Sequence, residues 1–288
     1  MVGGLGAAAL LAACGGAQTN SAGGGGSGGS SGGSGGSSGG SGGATGGGGT
    51  GGTGGAGGST ATGDWATGGT GLLDGKDYGN PFEGGVGPTC TVYKSSTAGP
   101  CHATSDKLTR KDISEGYAGL PTRLEFLIVD ESCNPVPNAT LEIWHCSTLG
   151  VYSGDIDGSN DAFCTGGDAE AAAALWYRGI QTAGADGRVT FDTNFPGWYG
   201  GRATHIHFKV TASGTEYLTS QVFFDESLKV AIYDTQPSYV PTSTSGYQPN
   251  DGDKVISESG LTVSEVLMST ARQSDGAMLA WKAITVAA

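Results

Sequence analysis

Two histidines and two tyrosines of this chain are of types that bind metal ions, and their spacing suggests a shared site. His205 and His207 lie two apart in Thr204-His205-Ile206-His207-Phe208, a run with strand character. Side chains alternate across a strand, so both imidazoles leave one face while Ile206 and Phe208 point the other way, toward a core. A strand fixes the separation of the pair without a loop having to order first, which suits the two rings to one metal ion. In isolation a His-x-His pair also describes two half-buried histidines with satisfied hydrogen bonds. Tyr199 lies six residues before His205, in the turn Phe195-Pro196-Gly197-Trp198-Tyr199-Gly200-Gly201. Tyr152 follows an earlier strand that ends in Ile143-Trp144-His145-Cys146.

Together these two blocks resemble the metal site of the intradiol ring-cleavage dioxygenases, the catechol and protocatechuate 3,4-dioxygenase family. The resemblance rests on the spacing of eight from Trp144 to Tyr152, the turn Pro196-Gly197-Trp198-Tyr199 and the run Arg202-Ala203-Thr204-His205-Ile206-His207, within roughly residues 108 to 270. It implies one Fe(III) ion held by Tyr152, Tyr199, His205 and His207. Tyr199 and His207 would be axial, with Tyr199 the ligand that leaves, and Tyr152 and His205 equatorial. Two tyrosinates and a hydroxide would neutralise such an ion while neutral imidazoles complete its coordination, and a phenol ionises readily beside it.

The resemblance further implies a catechol-type aromatic diol and O2 as substrates and a cis,cis-muconate-type diacid as product. Arg202 would set a fixed positive charge beside the activated ring, although an arginine at a strand start is also a common salt-bridge partner. Gln221 matches a residue that hydrogen-bonds near the substrate, and Arg178 one that lies near the active site. Trp144 and Trp198 are both candidates to wall the pocket, with a place in the core favoured for Trp144. His145, with no counterpart among the ligands, reads as structural, and His102 as exposed.

Two other classes compete. A binding or adhesion module could use the same fold without chemistry, and a zinc hydrolase could use His205, His207 and an acidic residue. The first predicts an incomplete ligand set; the second leaves both tyrosines without a role.

The elements that must position these residues read mostly as strands. Leu124, Phe126 and Ile128 alternate with Arg123, Glu125 and Leu127 up to the turn chemistry of Asn134-Pro135-Val136-Pro137-Asn138. Ala139 to His145 alternates again, and Asp186-Gly187 marks a tight turn ahead of a strand over Arg188 to Thr193. Glu216 to Phe224 continues the pattern with Gln221 and Phe223 on one face, and Val263 to Ser269 and Met278 to Val286 are the last expected strands. Helices are confined to connections: an Ala-rich one over Ala169 to Leu175 and one capped by Asp225 and running to Tyr233. Residues 72 to 121, interrupted by prolines, read as an extended lead-in. Many short strands with short connecting helices argue an all-β sandwich of antiparallel or mixed strands.

Composition divides the chain. Of 57 glycines, 30 fall between Gly15 and Gly71, and no charged residue precedes Asp64. Such a Gly/Ser-rich tract cannot bury enough apolar surface to offset its ordering entropy, so residues 15–71 are expected to be a disordered tether and residues 72–288 the domain. A net charge of −13 repels both nucleic acid and an anionic membrane surface, which argues against either as a partner beyond an N-terminal anchor. Residues 1–14 form a short apolar run ending in Leu11-Ala12-Ala13-Cys14, which looks like a bacterial lipobox although no lysine or arginine precedes it. A lipid on Cys14 would anchor the domain outside the cytoplasm, in the cell envelope. There Cys90, Cys101, Cys133, Cys146 and Cys164 can form disulfides, one at least staying single. Loop length favours Cys90 with Cys101 and Cys146 with Cys164.

Overall fold

Apolar side chains alternating along two sets of strands are buried by laying one sheet on the other, and this is the arrangement adopted. The computed structural model describes residues 64–86, 90–103, 108–156 and 158–288. The expected signal segment with Cys14, and the tether up to Gly63, lie outside the described residues. The strands are β1 (Pro121–Val129), β2 (Thr140–Trp144), β3 (Arg178–Thr182), β4 (Arg188–Asn194), β5 (His205–Ala212), β6 (Thr215–Phe223), β7 (Ser269–Arg272) and β8 (Met278–Thr285). They form two four-stranded sheets, ordered β4-β1-β8-β7 and β3-β2-β5-β6. β1 and β8 run parallel and the other pairs antiparallel, so the sandwich is mixed. Short helices α1 (Asp161–Cys164), α2 (Ala169–Ala173), α3 (Glu226–Thr235), α4 (Lys254–Glu258) and α5 (Val263–Val266) occupy the connections.

Leu124, Phe126 and Ile128 of β1 meet Leu141, Ile143, Ile206, Phe208, Val210 and Val222 of the other sheet in one core. The opposite face of β1 is buried as well, and its charges are matched there. Arg123 donates to Asp192 across the strand pair at 2.7 Å and to the Leu73 carbonyl at 3.0 Å. Glu125 accepts from Arg188 at 3.1 Å and from Thr190 at 2.9 Å.

Three expectations fail. The tether boundary at Gly71 is too late, because Ala66 donates to the Gly276 carbonyl at 2.9 Å, Trp65 packs on the core and Thr70 is buried. Val263 to Ser269 is not a strand: Thr262 and Glu265 form a reciprocal capping box, so α5 forms first and β7 begins only at Ser269. The disulfides join Cys90 to Cys133 and Cys101 to Cys164, leaving Cys146 as a buried thiol. Pairing follows the neighbours the sandwich creates, with Cα separations of 5.4 and 5.5 Å, and loop length alone carries no such information.

Candidate metal centre

Register in the second sheet builds the back of the site. His207 on β5 lies opposite Trp144 on β2 and Gln221 on β6, so the three side chains share the sheet face turned away from the main core. Trp144 stacks on the His207 ring with planes 3° apart and centroids at 5.0 Å. Trp144 is therefore buried as expected, but in a second, smaller cluster with Cys101, Ala103, Cys146, Tyr152, Ile156 and Cys164. Trp144 thus also backs the site, while Trp198, the other candidate wall, packs in the main core and donates to the Val240 carbonyl at 2.9 Å.

Two loops deliver the tyrosines, and two glycines let those loops touch. At Gly150, with φ +82°, a Cβ would stand 2.2 Å from the Trp198 carbonyl oxygen; at Gly197 it would stand 2.4 Å from that of Thr148. Neither position admits a side chain. The Gly197 N–H donates to the Ser147 carbonyl at 3.1 Å, locking the Tyr152 loop to the Tyr199 turn.

The four side chains singled out from the sequence converge. The Nε2 atoms of His205 and His207 are 3.0 Å apart, and the hydroxyls of Tyr152 and Tyr199 each lie 3.4 Å from His205 Nε2. Two donors bound at about 2.1 Å to one ion lie about 3.0 to 3.4 Å apart for bond angles of about 90 to 110°, so these separations fit a common metal. His205 Nδ1 donates to the Ala203 carbonyl at 2.6 Å, which leaves the lone pair on Nε2, facing the other three groups. Burial, with Arg202 adding to it, holds both histidines well below their usual pKa, so they are neutral at pH 7. Burial also raises the Tyr152 phenol and pushes Tyr199 up to about 12, so both stay protonated until a cation arrives to favour the phenolates. Among the described residues no group of three His, Cys, Asp or Glu could hold a metal, so His205 and His207 lack the acidic partner of the zinc reading.

Arg202 is both salt-bridged and aimed at the site. Its Nε donates to Asp253 at 2.9 Å, its Nη2 to Gln221 Oε1 at 2.5 Å, and its Nη1 stands 3.5 Å from His205 Nε2. Gln221 Nε2 in turn donates to the Thr97 carbonyl at 3.0 Å. Arg178 donates to the carbonyls of Ser153 (2.8 Å) and Cys101 (2.7 Å) and lies 5.9 Å from the Tyr152 ring centroid. Burial pushes it down to about 10, still protonated at neutral pH. His145 is structural, donating to the Cys146 carbonyl at 2.7 Å and accepting from Thr193 at 2.8 Å. His102 departs from expectation: it is half-buried, paired with Glu142 at 2.8 Å and set edge-on to Trp144.

Asp253 went unnoticed in the sequence. It accepts from Arg202, from the Ala203 N–H at 2.8 Å and from Val255 at the start of α4. Its position as an N-cap, one residue past Asn250-Asp251-Gly252, was the available signal.

A family model described as dioxygenase, Dioxygenase_C, matches residues 97–245, more than half of the chain. A hydroxyquinol 1,2-dioxygenase of Nocardioides simplex is 32% identical over 151 residues, covering 46% of this chain and 50% of that protein. A catechol 1,2-dioxygenase of Acinetobacter baylyi is 35% identical over 102 residues, covering 33% of each. The chain thus spans about half or less of the length of these curated relatives. Among solved structures, an intradiol ring-cleavage dioxygenase from Tetranychus urticae superposes with a TM-score of 0.59 at 26% identity, covering 68% of this chain and 94% of that one. With the matched region enclosing both tyrosine loops and the His-x-His strand, this chain belongs to the intradiol ring-cleavage dioxygenase family.

Proposed function

We propose that Tyr152, Tyr199, His205 and His207 hold a ferric ion and that the chain uses O2 to cleave an aromatic diol between its two hydroxylated carbons. The observation that supports this most directly is that the other three donor atoms all lie within 3.0 to 3.4 Å of His205 Nε2. When bound, the ferric ion supplies the Lewis acidity that chelates the diol and makes its ring reactive toward O2. The protein's own groups supply the rest. Tyr199, the least buried of the four, would as the phenolate accept a diol proton on its oxygen. Tyr152, with His205 and His207, stays in place, each 1 to 2% exposed. Arg202, held by Asp253 and Gln221, sets a fixed positive charge beside the charge that develops on the substrate.

The test is metal analysis with a visible spectrum, followed by O2 uptake with catechol. A stoichiometric ferric tyrosinate band and one O2 consumed per diol are expected. Tyr152→Phe and His205→Ala should each abolish uptake; persistence in both would remove the site from the reaction. We also place the domain outside the cytoplasm on a lipidated Cys14, a reading supported by two disulfides among the described residues. Labelling with a radioactive fatty acid should be lost in Cys14→Ser. No helix among the described residues is long and apolar enough to cross a membrane.

A further inference from the structure

One of the four donors reaches solvent more than the others. Tyr152, His205 and His207 are 1 to 2% exposed, whereas Tyr199 is only half-buried, so the open side of the cluster is the Tyr199 side. Phe163 of α1 stands on that side. Its ring meets the Tyr199 ring edge-on with centroids 5.9 Å apart, yet the residue remains 61% exposed.

A lone exposed apolar side chain needs no explanation in itself; this one is fixed in place. The next residue, Cys164, is disulfide-bonded to Cys101, and its carbonyl accepts from the Tyr152 N–H at 2.7 Å. The Cys101 segment runs along the other flank of the donors. There Gly99 lies against His207, where a Cβ would come within 3.0 Å of Cε1, and the Thr97 carbonyl accepts from Gln221. The disulfide therefore ties the segment beside His207 to the helix that carries Phe163.

Resting on the dioxygenase reading above, we infer that Phe163 is a specificity-determining residue. Its ring forms the outer wall against which a ring substituent of the diol packs. The site then favours diols with an uncharged, apolar substituent, whose burial against the ring is favourable. It disfavours carboxylated diols, whose charge would lose hydration against the apolar ring.

The test uses the iron-loaded full chain with 4-tert-butylcatechol, catechol and protocatechuate, in wild type, Phe163→Ala and Phe163→Leu. Wild type should show kcat/KM at least about tenfold higher for 4-tert-butylcatechol than for protocatechuate. Phe163→Ala should raise KM for 4-tert-butylcatechol about fivefold with little change in kcat, with a smaller effect on catechol and recovery in Phe163→Leu. Anaerobic calorimetry should show affinity for 4-tert-butylcatechol weakened by the same factor. Preference for protocatechuate, or equal KM in wild type and Phe163→Ala, overturns the inference. Turnover of none of the three diols would instead bring down the dioxygenase reading. Calorimetry would then still decide on Phe163, unchanged affinity in Phe163→Ala overturning its role.

Discussion

A phenol buried beside neutral imidazoles gains nothing by ionising unless a cation comes with it, and that condition links Tyr152, Tyr199, His205 and His207 into one unit. Arg202 is the fixed charge nearest to them, 3.5 Å from His205 Nε2, and its geometry depends on Asp253 and Gln221. Arg202→Gln should lower kcat about 100-fold while iron content stays stoichiometric, as measured by steady-state kinetics beside metal analysis. Equal kcat in the variant would make Arg202 a purely structural partner of Asp253. His145 has a different consequence. Burial lowers its pKa from 6.5 to about 4. The unfolded chain takes up a proton below about pH 6.5, while the folded form resists until about pH 4. Stability is thus complete above that window and falls as pH drops through it, by about 3 kcal/mol for this residue. Urea unfolding at pH 7 and pH 4.5 should show a smaller loss in His145→Gln than in wild type. His205 and His207 add a decline common to both proteins, so equal losses would exonerate His145.

At the scale of elements, what matters is how closely the loops before and after the β2–β5 pair approach each other. The Tyr152 loop and the Tyr199 turn touch through Gly150 and Gly197, where carbonyl oxygens occupy the space of a Cβ. Gly197→Ala must push the loops apart by the better part of an ångström. Far-UV circular dichroism should remain that of the sandwich, whose core lies elsewhere, while iron content after loading falls well below one per chain. Full iron occupancy in Gly197→Ala would show that the loops yield at little cost. The same reasoning explains the capping error at α5: a local Thr262–Glu265 box overrides an apolar alternation that reads as a strand.

For the whole molecule, the lower boundary of the domain is set by contacts between residues distant in the chain. Trp65 packs on the core, Ala66 donates to Gly276 in the turn before β8, the turn Thr70–Leu73 packs on β1 and β4, and the carbonyls of Leu73 and Lys76 accept from Arg123. Deleting residues 1–63 should leave Tm within about 1 °C of the full chain. Deleting residues 1–77 orphans donors of a buried arginine and uncovers Leu73, and should lower Tm by about 5 °C or more. Equal Tm in the two truncations would return the boundary to the position that composition suggests.

The sequence by itself determined the residue types of the site, the alternation that makes β1, β2, β5 and β6, and thereby the family. These are local properties: two residues apart on a strand is one face, and a glycine turn before a tyrosine is readable in a few letters. Tertiary structure decided which cysteines meet, which tryptophan backs His207, that Asp253 holds Arg202, and that Phe163 meets Tyr199. Each of these joins residues tens of positions apart, and such meetings are fixed by strand order and loop packing, which no spacing within a single segment encodes.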